Sequence, residues 1–286
     1  MSITTTSFQL VSDLVRRETA MLYEPGKEYL VEARLLPLAR EAGLDVDAYI
    51  ARLPLDADAR RRTLDALTIN ETSWFRDNAP YQAFTDTILP DLLAKRAATR
   101  RLRIWSAACS SGQEAYSLAM LLDAHLPPGW TVEILATDVS TAMLDRVRAG
   151  RYSQVEMNRG LPATLLVRHF TKVGTEWEVD ARLRAMVTTR HLNLAAPFVA
   201  VPVFDLVLLR NVVIYFDLDT KRDILRRVRR QTADDGYLML GSTESTIDCG
   251  SDWDREAIGR VQVHRPAASS TASTPTSPLR PLLTGA

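Results

Sequence analysis

The chain has 286 residues, 46% of them apolar, and balances 35 Lys and Arg against 35 Asp and Glu. This suits a soluble globular protein of one large domain or two smaller ones, and the lack of a basic bias argues against a nucleic-acid partner. Its two cysteines, Cys109 and Cys249, form no CxxC pair, so neither a disulfide framework nor a zinc site is expected, and a reducing cytoplasm is the natural setting.

The N-terminal MSITTTSFQL has no basic region leading into an apolar core, so no secretory signal is read. From Phe8 to about Leu67 apolar residues recur at helical offsets (Leu10 and Leu14, then Leu30, Leu35 and Leu38). Glu24-Pro25-Gly26 and Glu41-Ala42-Gly43 punctuate the run. An all-helical domain is predicted over 1–69. Its basic positions Lys27, Arg34 and Arg40 either share an exposed docking face or are simply solvated.

The stretch LTINETSWFRD (67–77) is too polar for a core and too aromatic for a plain linker. It reads as a binding segment at a domain boundary, where ligand sites are common, or else as a helix cap at Thr72 or Ser73 with its hydrophobic staple. A helix is predicted over Tyr81–Leu93. A strand–turn–helix–strand unit follows, with an apolar run at Leu102, Ile104 and Trp105, small residues from Ala107 to Gly112, an apolar helix through Leu122, and a strand Val132–Thr137 closed by Asp138.

Small residues at the first turn of such a unit let backbone N–H groups approach a ligand, and a carboxylate ending the second strand can accept from two ribose hydroxyls. The three-glycine phosphate fingerprint is missing, so a pyrophosphate is not expected. An adenosine without phosphate remains, which S-adenosylmethionine fits; the alternative is an ordinary buried strand–helix–strand.

Ser140 and Gly150 bracket the next helix as cap and stop. Between Arg151 and His191 the alternation lapses. Phe170–Val173, Trp177–Arg182 and Met186–His191 read as short strands of an antiparallel β insertion at about 167–191. Phe198–Phe216, the most apolar window, is broken by Pro202, Asp205 and Arg210, so it is read as a buried strand (204–209) and its approach rather than a membrane span. A helix with inner face Ile224, Leu225 and Val228 follows. Its outer residues Lys221, Arg222, Arg226, Arg227, Arg229 and Arg230 are read as solvated, with docking as the lesser alternative. Asp234-Asp235-Gly236 should turn the chain into a strand, Tyr237–Leu240. The Ser/Thr/Pro-rich 267–286 should be a disordered tail. The fold class is α/β, a doubly wound Rossmann-like sheet over 70–266 preceded by the helical domain.

Four separated stretches, LTINETSWFRD, WSAACSSGQEAYSLAMLL (105–122), ILATDVSTAMLDRVRAGRY (134–152) and FDLVLLRNVVIYFD (204–217), together with DDGYLMLGSTES (234–245), resemble the CheR-type chemotaxis receptor methyltransferases. The similarity covers roughly residues 8–247, in the family's order. It implies a class I methyltransferase fold, S-adenosylmethionine as cofactor with S-adenosylhomocysteine as product, and glutamate side chains of chemoreceptor cytoplasmic domains as acceptors. Carried over by position, cofactor contacts fall on Asn70, Thr72, Arg76, Glu114, Asp138, Asn193, Leu194, Arg210 and Asn211. Arg76 suits the methionyl carboxylate, Asp138 the ribose, Asn193 the adenine edge, and Glu114 the ammonium or a ribose hydroxyl.

Gln113-Glu114-Ala115 stands where the family usually has Glu-Glu-Pro, a departure that keeps the Glu. The connection Val173–Glu176 is shorter than in members tethered to a receptor's C-terminal peptide, so independence from such a tether is expected. A monomer, with no direct membrane insertion, is the simplest expectation.

A carboxylate acceptor is already ionised at neutral pH, so the transfer needs no general base. That leaves no catalytic role for His125, His169, His191 or His264, and makes Cys109 a small packing residue. Rate must come from alignment. Tyr215 is the candidate lining the methyl path, or else a core aromatic, and Arg76 the second candidate for steering the acceptor. Amino-group methyltransferases acting on nucleic acid resemble one another in an (Asn/Asp/Ser)-Pro-Pro-aromatic turn at the position that here reads Arg210-Asn211-Val212-Val213-Ile214-Tyr215, so the missing proline pair and the lack of basic bias count against that rival. A non-catalytic cofactor-binding signalling module is the remaining alternative.

Overall fold

The computed structural model describes residues 3–267; the stretch 268–286, expected to be disordered, lies outside the described residues. Helix α1 (Thr5–Thr19) begins where the Thr4 side chain accepts from Ser7 N and stops at Ala20, whose φ is 60°. Then come α2 (Glu28–Glu41), α3 (Val46–Arg52) and α4 (Ala57–Leu67), the last two capped by Asp45 and Asp56 through Ala48 N and Ala59 N. Each such cap satisfies a donor the helix itself cannot.

The core of this helical domain joins Val11, Leu14 and Val15 to Val31, Leu35, Ala39, Ile50 and Leu67. Part of the expected pattern shifts: Leu10 faces outward, and Leu30 and Leu38 are only half-buried. The row that packs is Val31-Leu35-Ala39, spaced i, i+4 on one side of α2. Nor do the basic residues share a free face, because Arg34 Nη1 donates to the carbonyls of Ala66, Leu67 and Thr68 at the end of α4.

After a turn in which Phe75, Asp77 and Asn78 all take positive φ, α5 (Ala79–Ala83) runs through a π-turn (Phe84–Ile88) into α6 (Leu89–Lys95). Thr72 and Ser73 cap no helix. There follow β1 (Arg101–Ser106), α7 (Gln113–His125), β2 (Thr131–Asp138) and α8 (Thr141–Ala149), with Ser140 as cap and left-handed Gly150 as stop. The chain continues as β3 (Arg151–Ser153), α9 (Gln154–Met157), α10 (Ala163–His169), β4 (Phe170–Val173), β5 (Glu176–Val179), α11 (Ala181–Met186), β6 (Val187–His191) and β7 (Phe204–Leu209). A 3₁₀ turn (Val213–Tyr215), α12 (Leu218–Arg230), β8 (Thr232–Leu240), β9 (Trp253–Ile258) and β10 (Val261–Pro266) complete it.

Seven strands form the main sheet in the order β6-β2-β1-β7-β8-β10-β9, parallel from β6 to β8, with β10 antiparallel to both neighbours. This is a doubly wound Rossmann-like architecture, with the helical domain preceding it in the chain. Alternate residues reach opposite faces. Ile104, Leu206, Leu208 and Met239 pack with α7 and α8, while Trp105, Val207, Leu209 and Leu238 pack with Ile224, Leu225 and Val228 of α12. Covered on both sides, β7 is apolar almost throughout.

The antiparallel sheet is smaller and earlier than 167–191: its order is β3-β5-β4, and Val187–His191 instead pairs parallel with β2 in the main sheet. Trp177–Arg182 is a strand only to Val179, where Asp180 caps α11 through Arg182 N. Asp234-Asp235-Gly236 is not a turn but part of β8. A register shift opposite Phe204–Leu206 lets Asp235 take both Nη atoms of Arg96, at 2.8 and 2.6 Å. No helix among the described residues is long and apolar enough to cross a membrane.

Candidate active site

The turn from Ala107 to Gly112 sits between the C-terminal end of β1 and the start of α7, where open α/β sheets bind ligands. Gly112 has a φ of 96°, and a Cβ there would lie 3.0 Å from Val147 Cγ2 and 3.1 Å from the Tyr152 hydroxyl. The turn is pinned to β2: Cys109 N donates to Thr137 O, and Thr137 Oγ1 accepts from Trp105 Nε1 while donating to Ala107 O. At the end of β2, Asp138 accepts from Ser110 N on Oδ2 and from Ser140 N on Oδ1, each at 2.9 Å. Each oxygen keeps a lone pair for a further donor. Burial pushes this carboxyl above its ordinary pKa, against the pull of those backbone N–H groups.

Beneath the turn lies a buried charge cluster. Glu114 Oε1 accepts from Ser106 Oγ at 2.8 Å, and Oε2 meets Arg210 Nη1 at 3.1 Å. Arg210, its side chain 2% exposed, also donates from Nη2 to Asp77 Oδ2 at 2.8 Å and to Arg76 O at 3.0 Å. One guanidinium therefore faces two carboxylates, and with Asp138 the floor carries excess negative charge. That floor suits a cationic ligand.

These groups border a cleft of about 840 Å³, counting the open solvent at its mouth, between the helical domain and the sheet. Asn70, Thr72, Arg76, Glu114, Asp138, Asn193, Leu194, Arg210, Asn211 and Tyr215 all line it. The boundary segment is held there by Ser110 Oγ, which donates to Asn70 O at 2.7 Å, and Asn70 Nδ2 donates to Thr68 Oγ1. Arg76 uses one N–H, to Glu71 O at 3.2 Å. Asn193 is more heavily engaged than its expected adenine role implies: Nδ2 donates to Glu18 O at 2.6 Å and Oδ1 accepts from Ala195 N at 2.8 Å. Half-buried Tyr215 packs on the helical domain's core, and its carbonyl accepts from Leu22 N. Burial pushes its phenol pKa up, while Arg76 nearby pulls it down. Among the described residues, no His or Cys lines the cleft.

Several contributors were not foreseen. Thr19 and Met21 of the helical domain form part of the wall, and no sequence signal marks them. Ser106 and Asp77 serve the charge cluster; Asp77 stands beside Arg76 in a segment already singled out. Asp65 accepts from Ser140 Oγ at 2.7 Å and so ties α4 to the loop after β2. Glu244 lies outside the cleft but holds the turn after β7, as described below.

The arrangement fits S-adenosylmethionine. Asp138 has free lone pairs where ribose hydroxyls would come, the acidic floor matches a sulfonium and an ammonium, and Arg76 offers unused donors to a carboxylate.

Residues 70–256 match the family described as CheR methyltransferase, SAM binding domain, and residues 6–68 match CheR methyltransferase, all-alpha domain. Among curated relatives, Chemotaxis protein methyltransferase 1 of Pseudomonas aeruginosa is 38% identical over 86% of this chain and 92% of its own length. Chemotaxis protein methyltransferase Cher2 of Pseudomonas putida is 34% identical over 86% and 92%. Chemotaxis protein methyltransferase 1 of Vibrio cholerae is 38% identical over 77% and 82%.

Proposed function

The chain belongs to the CheR methyltransferase family, and from that premise we propose that it transfers the methyl group of S-adenosylmethionine to glutamate side chains of chemoreceptor cytoplasmic domains. The products are glutamyl methyl esters and S-adenosylhomocysteine. The observation that carries this reading is the meeting of the boundary segment, the β1 turn, Asp138, and the Arg210–Tyr215 turn around one cleft whose mouth adjoins the helical domain.

When bound, the cofactor supplies an electrophilic methyl group. Everything else falls to the chain. Asp138 takes the ribose hydroxyls, Glu114 faces the ammonium or a ribose hydroxyl, and Arg76 holds the methionyl carboxylate or steers the acceptor. Tyr215 borders the approach to the methyl group. The acceptor carboxylate arrives ionised, so no residue need remove a proton. Fixing two reactants in near-attack geometry supplies about 7–11 kcal/mol, which makes a site without His or Cys chemically sufficient. The short link between β4 and β5 supports action without a receptor peptide tether. Tight binding of an isolated receptor C-terminal peptide in calorimetry would overturn that part.

The direct test incubates the protein with tritiated S-adenosylmethionine and membranes containing chemoreceptors. Base-labile label on the receptor band is the expected result. Binding of S-adenosylhomocysteine without any label would favour a non-catalytic cofactor-binding signalling module.

A further inference from the structure

Glu244 lies beyond the cleft wall, in the tight turn after β8 where its own N–H donates to Gly241 O. Strands β7 and β8 are parallel neighbours, so the loops at their C-terminal ends lie side by side. The buried Glu244 carboxylate accepts five backbone N–H groups from those two loops. Oε2 takes Asn211 N at 2.6 Å and Gly241 N at 2.7 Å. Oε1 takes Val212 N and Val213 N, each at 2.8 Å, and Ile214 N at 3.3 Å.

The four N–H groups on the β7 side belong to consecutive residues whose path is irregular: Asn211 has a φ of 58°, and a 3₁₀ turn runs from Val213 to Tyr215. Among the described residues no helix or ladder partner takes those donors, and without the carboxylate the buried Val213 N–H and its half-buried neighbours would lose the contacts that hold the turn. Gly241 gives independent evidence of close fit. A Cβ there would lie 2.7 Å from Glu244 Oε2 and 2.9 Å from both Asn211 N and Asn211 Nδ2.

We propose that Glu244 is a positioning residue for methyl transfer: its carboxylate moulds the Asn211–Tyr215 turn and thereby sets Tyr215 against the cleft. Glu244 touches neither cofactor nor acceptor. This rests on the methyltransferase reading above. The rest of the cofactor wall, Asp138, Glu114, Asn70 and Leu192 among it, stands on other elements, so displacing the turn disturbs alignment more than cofactor binding.

The test uses the full chain and two substitutions of different kind. Glu244→Gln keeps the shape but turns an N–H₂ toward backbone donors; Gly241→Ala keeps the charge and pushes the carboxylate away. Both are expected to lower kcat by about 100-fold, the scale of an ångström-level misplacement, while the Kd for S-adenosylhomocysteine rises no more than about tenfold. Glu244→Asp, with charge retained, should recover part of the rate.

Unchanged kcat in both variants would overturn the proposal. So would a fall in kcat matched by equal losses of S-adenosylhomocysteine affinity and melting temperature, or failure of both variants to fold, since each marks a merely structural role. A readout independent of turnover separates this from an error in the acceptor assignment. In protein carrying 3-fluorotyrosine, the Tyr215 ¹⁹F line, assigned by loss in Tyr215→Phe, should move in both variants. An unmoved line would reject the role of Glu244 even if wild-type protein methylates no receptor.

Discussion

Arg210 and Glu114 form an ion pair beneath the cleft, Nη1 to Oε2 3.1 Å, although 96 residues separate them in the chain. One comes from just beyond β7 and the other from the first turn of α7, so the pair joins distant stretches of the chain and brings Asp77 with it.

Removing one side of such a cluster should cost more than the pair contributes, because the remaining charges stay buried. Arg210→Met is expected to destabilise the fold by about 3 kcal/mol, read as a fall in the urea midpoint with unchanged m value. Glu114→Gln, which leaves Asp77 to balance Arg210, should cost less and weaken cofactor binding. Equal stability of wild type and Arg210→Met would show that water reaches the cluster.

Asp138→Asn should raise the Kd for S-adenosylhomocysteine about 10–100-fold, the scale of 1.5–3 kcal/mol for hydrogen bonds to a charged group. Because burial raises the Asp138 pKa, affinity should be full where the carboxylate is ionised and fall as pH drops through that raised value. The fall therefore comes at a higher pH than an ordinary aspartate would give. Calorimetry across pH tests both points, and an Asp138→Asn protein with the wild-type profile would remove this residue from the ribose site.

Tyr215 separates chemistry from packing. Loss of the hydroxyl alone in Tyr215→Phe should slow turnover about fivefold to tenfold, the worth of a hydrogen bond of about 1 kcal/mol, with little change in melting temperature. Tyr215→Ala should additionally loosen the seat of the helical domain and lower the melting temperature. Wild-type turnover in both would place the ring in the packing alone.

His264 makes stability pH-dependent. Its ring is buried in β10 beside the Leu238 backbone, and burial, against the pull of that backbone, holds its pKa down to about 4. The folded state keeps the ring neutral while the unfolded chain protonates near 6.5, so stability is full above pH 6.5 and declines as pH falls toward 4. The loss should reach about 2 kcal/mol after allowing for solvent screening. His264→Leu should flatten this part of the profile, and an unchanged slope would assign it to carboxylates.

Features that depend on local chemistry could be read directly from the chain. Gly112 and Gly150 mark backbone turns, Ser140 caps its own helix, and Asp138 closes an apolar strand. Edges and long-range partners could not. Val187–His191 is short, polar and preceded by two true hairpin strands, so nothing local distinguishes a parallel edge strand from a third member of the hairpin. Strands β9 and β10 alternate weakly, with exposed charges at Asp254, Arg255 and Glu256. Glu244 and Asp77 act on residues 31 and 133 positions away, beyond any spacing rule. Thr19 and Met21 enter the site because the first helix ends against the loops after β6 and β7.

That last placement has a thermodynamic consequence. A ligand filling the cleft touches Thr19 and Met21 as well as the sheet, while Asn193 holds Glu18 O and Tyr215 O holds Leu22 N. Cofactor affinity and the seating of the helical domain are therefore linked, and linkage is reciprocal. Any protein that grips the helices and shifts the end of α1 changes cofactor affinity by some factor. The loaded and unloaded forms must then differ in their affinity for that protein by the same factor, so the amount of cofactor bound shifts how tightly that protein is held.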